Sequence, residues 1–323
     1  MTTLEHAGAA PPTGVPAPAP TAEHGDPYRA FRDELFAAGL LVPTGVDGLY
    51  LRSEAFESIV RGIDAAVSKM AAVEAPTVYH FPLVVPAGLL ERTDYVRSFP
   101  DLIGVLDSYA KGEAGYGDLL AAAEEGSWPQ HLEHTGLGLC SAACHPLYPT
   151  LAGSEIPPAG RRFEIFGQVF RHEPSVDPAR QQVFRQHEVV FVGAPADAAA
   201  HRDAWVERGL SLHRRLGLVV EAVVANDPFF GRGGRILAAN QRAEALKIEL
   251  VAPICSADQP TAITSANCHL DHFGTAFGLR LGDEVAHSAC VGFGLERIAL
   301  ALLAAHGLEF SSWPASVRQE LGW

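Results

Sequence analysis

Two short segments carry the residue types that handle phosphate and purine. F-R-H-E at residues 170–173 and F-R-Q-H-E at residues 184–188 each set an arginine and a carboxylate beside an aromatic ring. Residues an even number apart along a strand share a face, so Arg171 and Glu173 are expected on one face, as are Phe184 and Glu188. The fixed fork of Arg171 suits an α-phosphate. Phe184 offers a plane for a purine, and Glu173 can accept from an exocyclic amine. Alone, this segment is equally readable as an ordinary hairpin with an exposed salt bridge. The second element, C-V-G-F-G-L-E-R at residues 290–297, changes the balance. Its two glycines let backbone approach a ligand closely, and Arg297 in a first helical turn can reach a terminal phosphate. A glycine pair is common among nucleotide loops; combined with F-R-H-E and an aromatic return strand, it is a strong signal for ATP.

These side chains need a frame. Between residues 53 and 70, Phe56, Ile59, Val60, Ile63, Val67 and Met70 recur at helical spacing, which predicts an amphipathic helix. The V-Y-H-F-P-L-V-V-P run at 78–86 is β-branched and aromatic, but its two prolines confine it to a sheet edge or an interface. R-F-E-I-F-G-Q-V-F and V-F-R-Q-H-E-V-V-F-V read as antiparallel strands joined by a long loop, E-P-S-V-D-P-A-R-Q-Q. Residues 198–216 and 236–245 read as helices, K-I-E-L-V-A-P-I as a strand, and residues 285–305 as a strand entering a helix. Residues 101–130 read as helical and irregular. The expected fold class is α+β, an antiparallel sheet flanked by helices.

The chain has 323 residues, with 24 Lys+Arg against 38 Asp+Glu and a formal net charge of -14. That balance opposes broad attraction to a polyanion, so tRNA is not an expected partner unless a local basic patch serves it. Residues 1–26 are Ala, Pro and Gly with few large apolar groups; they are expected to form a disordered leader before one catalytic domain at 27–323. No basic region followed by an apolar stretch opens the chain, and no uncharged run is long enough to span a bilayer, so a cytoplasmic protein is expected. Cys140, Cys144, Cys255, Cys268 and Cys290 are odd in number and scattered, unlike a secreted disulfide framework.

F-R-H-E with Phe184 resembles motif 2 of class II aminoacyl-tRNA synthetases, G-F-G-L-E-R resembles motif 3, and the helix leading into F-P-L-V-V-P resembles motif 1, the dimer-forming element centred on Pro86. Closer resemblance comes from S-A-A-C-H-P-L-Y-P at 141–149, N-D-P-F-F-G-R-G-G-R-I-L-A-A-N-Q at 226–241, L-K-I-E-L at 246–250, S-A-N-C-H-L-D-H-F-G at 265–274 and H-S-A-C-V-G-F-G-L-E-R-I-A-L-A-L at 287–302. Together these are similar to the amino acid:[carrier protein] ligases, relatives of the metal-dependent seryl-tRNA synthetases, over about residues 32–314. The resemblance implies a homodimer and a catalytic zinc on two Cys and one Glu, at Cys144, Glu188 and Cys290. Three protein ligands leave one tetrahedral position open, the pattern of a catalytic zinc. Cys140 is the rival thiolate, displaced by the match of S-A-A-C-H-P-L-Y-P. His269 and His272 are alternative ligands, with a hydrogen-bonded structural role preferred.

The expected chemistry has two halves. An amino acid held by its neutral α-amine at the zinc attacks the α-phosphate of ATP, bent by Arg171 and Arg297 with Mg²⁺ on the phosphates, and gives an aminoacyl adenylate. Glu249 and Asn267 are implied by resemblance in metal or nucleotide contacts, and Lys247 in substrate contact. A phosphopantetheine thiol on a carrier protein, with a free pKa of about 8.5, then takes the aminoacyl group. Arg232, Arg235 and Arg242 resemble the family's carrier-docking helix; a solvated basic face is the alternative. Glycine is the first-choice substrate, with alanine or a glycine-like analogue close behind. A seryl-tRNA synthetase and a non-catalytic regulatory subunit are the competing functions.

Overall fold

A computed structural model describes residues 26–227, 241 and 244–323. The leader at 1–25 and the arginines at 232, 235 and 242 lie outside the described residues, as does most of the helix expected at 236–245. Glu244 and Ala245, its last two positions, form a turn, with Ala245 in the left-handed region at φ 48°.

The first long helix, α1 (Glu54–Ala71), is set by its sequence. Ser53 caps it by accepting the Phe56 amide at 3.3 Å, Glu54 and Glu57 occupy the favourable first turn, and Lys69 lies in the last. Phe56, Ile59, Val60, Ile63 and Val67 form its buried stripe. Gly62 lets the C-terminal segment approach, since a Cβ there would lie 2.8 Å from the Leu321 carbonyl oxygen.

The main sheet comprises β1 (Thr77–Phe81), β2 (Arg161–Phe170), β3 (Val183–Gly193), β4 (Glu221–Ala225), β5 (Lys247–Ala252), β6 (Thr261–Leu270) and β7 (His287–Gly294). Their spatial order is β1-β2-β3-β7-β6-β5-β4. Every pairing is antiparallel except β1 with β2. The sheet is antiparallel as expected apart from this parallel edge strand, whose edge position agrees with the prolines that follow it. Helix α2 (Pro195–Arg215) crosses between β3 and β4, three residues longer at its start than the sequence pattern suggests, because Pro195 suits a first helical turn. Helix α3 (Leu295–His306) continues directly from β7.

Strand parity divides the chemistry from the core. Val189, Val291, Phe293, Ala266 and Leu250 point to one face, where they pack with Phe56 and Ile63 of α1, Trp205 of α2 and Leu300 of α3. Burying each large side chain of this kind contributes about 1.5–3 kcal/mol. The opposite parity faces the cleft. Across the ladders Glu188 is opposite Gly292, Gly292 opposite Ser265, and Ser265 opposite Glu249. One step along, Cys290 is opposite Asn267, and Asn267 opposite Lys247.

Residues 101–130 hold more than helix and turn. Val105–Ser108 pairs with Glu133–Leu139, which also pairs with Val84–Pro86, making a separate three-stranded sheet. Its alternation is too short to stand out from sequence. Among the described residues, no helix is long and apolar enough to cross a membrane.

Candidate active site

A cleft of about 620 Å³ opens on the parity face. Cys144, Arg171, Glu173, Phe184, Glu188 and Lys247 line it, and so do Glu249, Asn267, Cys290 and Arg297. Every described residue expected to touch metal, nucleotide or substrate therefore meets in one concavity.

The route of Arg171 and Glu173 to the cleft differs from the sequence expectation. Strand β2 ends at Phe170, and the Arg171 amide donates to the Gln182 carbonyl at 2.9 Å as the last backbone contact across the hairpin. The chain then turns tightly, with the Glu173 amide on the Arg171 carbonyl at 2.8 Å. Shared strand parity is thus not what brings the two together; the proline-rich loop is. Glu173 also pairs with Arg180 at 3.4 Å.

Two guanidiniums lie close to one ring. The Arg171 and Arg297 Cζ atoms lie 5.5 and 5.9 Å from the centroid of Phe184. Arg171 Nε donates to Ser141 O at 3.3 Å, while Arg297 donates to Ala179 O at 2.9 Å and Ala262 O at 3.1 Å. Burial, then the neighbouring Arg171 charge, pushes the Arg297 pKa below its ordinary value. An anion between the two would relieve both effects.

Beside this pair, one sulfur each of Cys144 and Cys290 and one carboxylate oxygen of Glu188 lie within 4.8 Å of one another, all three residues buried. It is the cation-suited group of ligand side chains found among the described residues. Glu188 Oε2 is buried with no hydrogen-bond partner, and burial raises the carboxyl above its usual range. The Cys144 thiol is raised by its contact with Cys290 and by burial. For Cys290, the Cys144 contact pulls down, but burial and Glu188 outweigh it and the net shift is upward. Two sulfurs and an orphaned carboxylate oxygen, each penalised for ionising alone, fit a divalent cation of zinc's preferences.

The rivals separate cleanly. Cys140 turns its thiol onto the Ala142 carbonyl at 3.1 Å, outside the trio. His269 supports the trio without joining it: Nε2 lies 3.4 Å from Cys290 Sγ, and Nδ1 is 2.9 Å from Ser288 Oγ. Burial lowers its pKa to about 3, so the ring is neutral. His272 lies at the exposed cleft rim against Phe273.

Asp227 went unread in the sequence, where N-D-P signals only a turn. Its carboxylate receives Lys247 Nζ at 2.5 Å and Gln241 Nε2 at 2.8 Å, while Glu249 lies 3.0 Å from the same ammonium. Lys247 is 8% exposed, so its ammonium is held inside the cleft rather than in solvent. His145, directly after Cys144, also faces the cleft, with Nδ1 3.4 Å from Ser141 Oγ.

No protein-family model matches the chain. Among characterised proteins, it is 38% identical over 302 residues to amino acid–[acyl-carrier-protein] ligase 1 of Bradyrhizobium diazoefficiens, covering 92% of this chain and 90% of the relative. It is 37% identical over 316 residues to ligase 2 of the same organism, covering 97% and 91%. It is 24% identical over 265 residues to the type-2 serine–tRNA ligase of Methanopyrus kandleri, covering 75% of this chain and 50% of that protein. Among solved structures, M. kandleri SerRS in complex with A. aeolicus tRNASec superposes with a TM-score of 0.79 at 20% identity, covering 94% of this chain and 61% of that one. Pyrococcus horikoshii seryl-tRNA synthetase complexed with ATP gives 0.64 at 14% identity, covering 91% and 62%. These likenesses place the fold with the class II synthetase catalytic domains, of whose chains it spans about three fifths. At the identity and coverage shared with the two Bradyrhizobium enzymes, the chain belongs to the amino acid–[acyl-carrier-protein] ligases.

Proposed function

We propose that this ligase uses ATP to convert a small amino acid to its aminoacyl adenylate and passes the aminoacyl group to the phosphopantetheine thiol of a carrier protein. The observation that carries this reading is the placement of two guanidiniums around Phe184 in the same cleft as Cys144, Glu188 and Cys290. Glycine is favoured, with alanine or a glycine-like analogue as alternatives; one methylene is worth only about 1–3 kcal/mol in a pocket.

Phe184 stacks on the adenine, and Glu173 accepts from its amine. Arg171 holds the α-phosphate and Arg297 the terminal phosphates, with Mg²⁺ sharing the charge. The amino acid carboxylate attacks the α-phosphorus, the bond to the bridging oxygen breaks, and pyrophosphate leaves with its charge balanced by the arginines. The carrier thiolate then attacks the acyl carbon, and the C–O bond to AMP breaks. Cys144, Glu188 and Cys290 would hold zinc, which when bound supplies a Lewis-acidic anchor for the neutral α-amine. Lys247, fixed by Asp227 and Glu249, and Asn267 face the substrate from β5 and β6.

Three parts of the reading lie further from the cleft. Homodimerisation through the motif 1 region is supported by Val73, 81% exposed just before the edge strand β1, and Val78, 48% exposed within it. Arg232, Arg235 and Arg242 are proposed to dock the carrier protein. The net charge of -14 opposes broad attraction to tRNA, and either partner would need a local basic patch such as the one proposed for these arginines; the lack of a spanning helix among the described residues is compatible with the cytoplasm.

The test is amino-acid-dependent pyrophosphate exchange over a panel of small amino acids, with zinc measured on the same protein, followed by transfer to carrier protein or tRNA. Glycine-stimulated exchange and a carrier thioester are expected. No exchange with any amino acid by zinc-replete protein would favour a non-catalytic subunit. Reversing two of the three arginines should impair thioester formation while sparing exchange; equal loss in both removes the docking role.

A further inference from the structure

Four charged side chains that never touch the cleft lock together the two elements that grip the nucleotide. Arg185 follows Phe184 directly, and Glu296 precedes Arg297 directly. The Arg185 backbone amide donates to Glu296 Oε2 at 2.8 Å, and its Nε donates to Glu296 Oε1 at 2.7 Å. The far side of the same guanidinium forks onto Glu57 of α1 at 2.6 and 2.9 Å. Arg52 closes the ring, 3.2 Å from Glu296 and 3.9 Å from Glu57. Its remaining nitrogens donate to Val183 O at 2.8 Å and Gln181 Oε1 at 3.3 Å, at the start of β3.

Glu296 is 1% exposed. A carboxylate this deep is costly unless each lone pair is used, and here two guanidiniums, a backbone amide and the first turn of α3 all favour its charge. Two positive and two negative groups balance, so the ring adds no net charge beside the cleft. Its effect is geometric. With Glu296 fixed, Arg297 cannot rotate away on α3, and with the Arg185 amide fixed, Phe184 cannot slide along β3.

We infer that Arg185, Glu296, Glu57 and Arg52 are positioning residues for ATP: they set the spacing between the Phe184 ring and the Arg297 guanidinium, and Glu57 carries that constraint into α1. The inference rests on the nucleotide roles assigned above to Phe184 and Arg297. None of the four is a catalytic residue, because none lines the cleft.

Titration calorimetry of the full chain with a non-hydrolysable ATP analogue, together with exchange kinetics, tests this. Glu57→Gln and Arg185→Lys should each weaken the analogue and raise the KM for ATP about tenfold or more, the scale expected when a gripping group is displaced from afar. The KM for the amino acid should stay within about twofold. The pair should be non-additive, since both act on one guanidinium. Glu54→Gln, in the same helical turn but paired with Arg61 at the surface, should leave ATP unaffected. If Arg185→Lys does not fold, Glu57→Gln on the helix decides. Variants that bind the analogue as wild type does, or that lose nucleotide and amino acid affinity in equal measure as they melt earlier, overturn the inference alone. Wild-type protein that does not bind the analogue removes the nucleotide reading and this inference with it.

Discussion

Glu188 and Gly292 face each other across the β3–β7 ladder so closely that a Cβ on Gly292 would stand 3.3 Å from Glu188 Cγ and 3.5 Å from its Cδ. The glycine therefore sets where the carboxylate lies. Gly292→Ala should push that carboxylate aside by a few tenths of an ångström and lower metal affinity and exchange activity about tenfold, the lower end of what disturbing a ligand's support costs. Metal content by atomic emission beside exchange rates checks it; an unaltered metal site would show that the strand yields instead.

Cys144→Ser and Cys290→Ser should each reduce bound zinc well below one per chain and abolish exchange, whereas Cys140→Ser should retain both. The distinction follows from Cys140 directing its thiol to Ala142 O rather than to Glu188. Prolonged chelation should inactivate the wild type, with zinc restoring it. A Cys140→Ser variant that lost metal would reassign the ligand set.

Phe184→Leu keeps much of the buried volume but removes the aromatic plane beside Arg171 and Arg297. Stacking on a base is worth about 1–3 kcal/mol, so the KM for ATP should rise about tenfold with little change for the amino acid. Steady-state exchange at saturating amino acid measures this. An unchanged KM would mean that the purine lies elsewhere.

Asp227 yields a pH prediction. Burial alone would push its carboxyl up, but the Lys247 ammonium and the Gln241 amide outweigh that and hold it below the ordinary range. A carboxyl depressed on folding contributes stability above the usual aspartate pKa of about 3.9 and loses it as pH falls through the folded value. Wild type should therefore melt above Asp227→Asn at pH 7, and the gap should close on acidification below about pH 4. A gap independent of pH would assign the effect to lost hydrogen-bond geometry.

How far the sequence carried this picture depended on the range of the interaction. Helix α1 was readable because its apolar stripe is local, and its structural limits fall within a residue of the pattern. The β2–β3 hairpin and the β7–α3 junction were readable for the same reason. Glu173 was assigned to a strand face because parity was carried one turn past Phe170, into a loop shaped by Pro174 and Pro178. Asp227 could not be seen, since its partner Lys247 is joined to it only through the pairing of β4 with β5. Likewise, no spacing rule reveals that Arg185 and Glu57 meet; that contact requires α1 to lie under β3. The trio Cys144, Glu188 and Cys290 came from resemblance, because ligands this far apart in the chain leave no local signature.

The cleft is assembled by strands that neighbour one another only when the whole sheet is zipped. The cation and nucleotide proposed to occupy it would therefore act as clamps on the entire chain: binding the native state in preference to the unfolded one, each should raise the midpoint of thermal denaturation in a dose-dependent way. A partly unravelled chain, with β7 detached from β3, would retain half of each binding surface and grip neither. Saturation by substrate thus doubles as protection from proteolysis, and the enzyme's lifetime in a cell would follow the supply of the molecules it consumes.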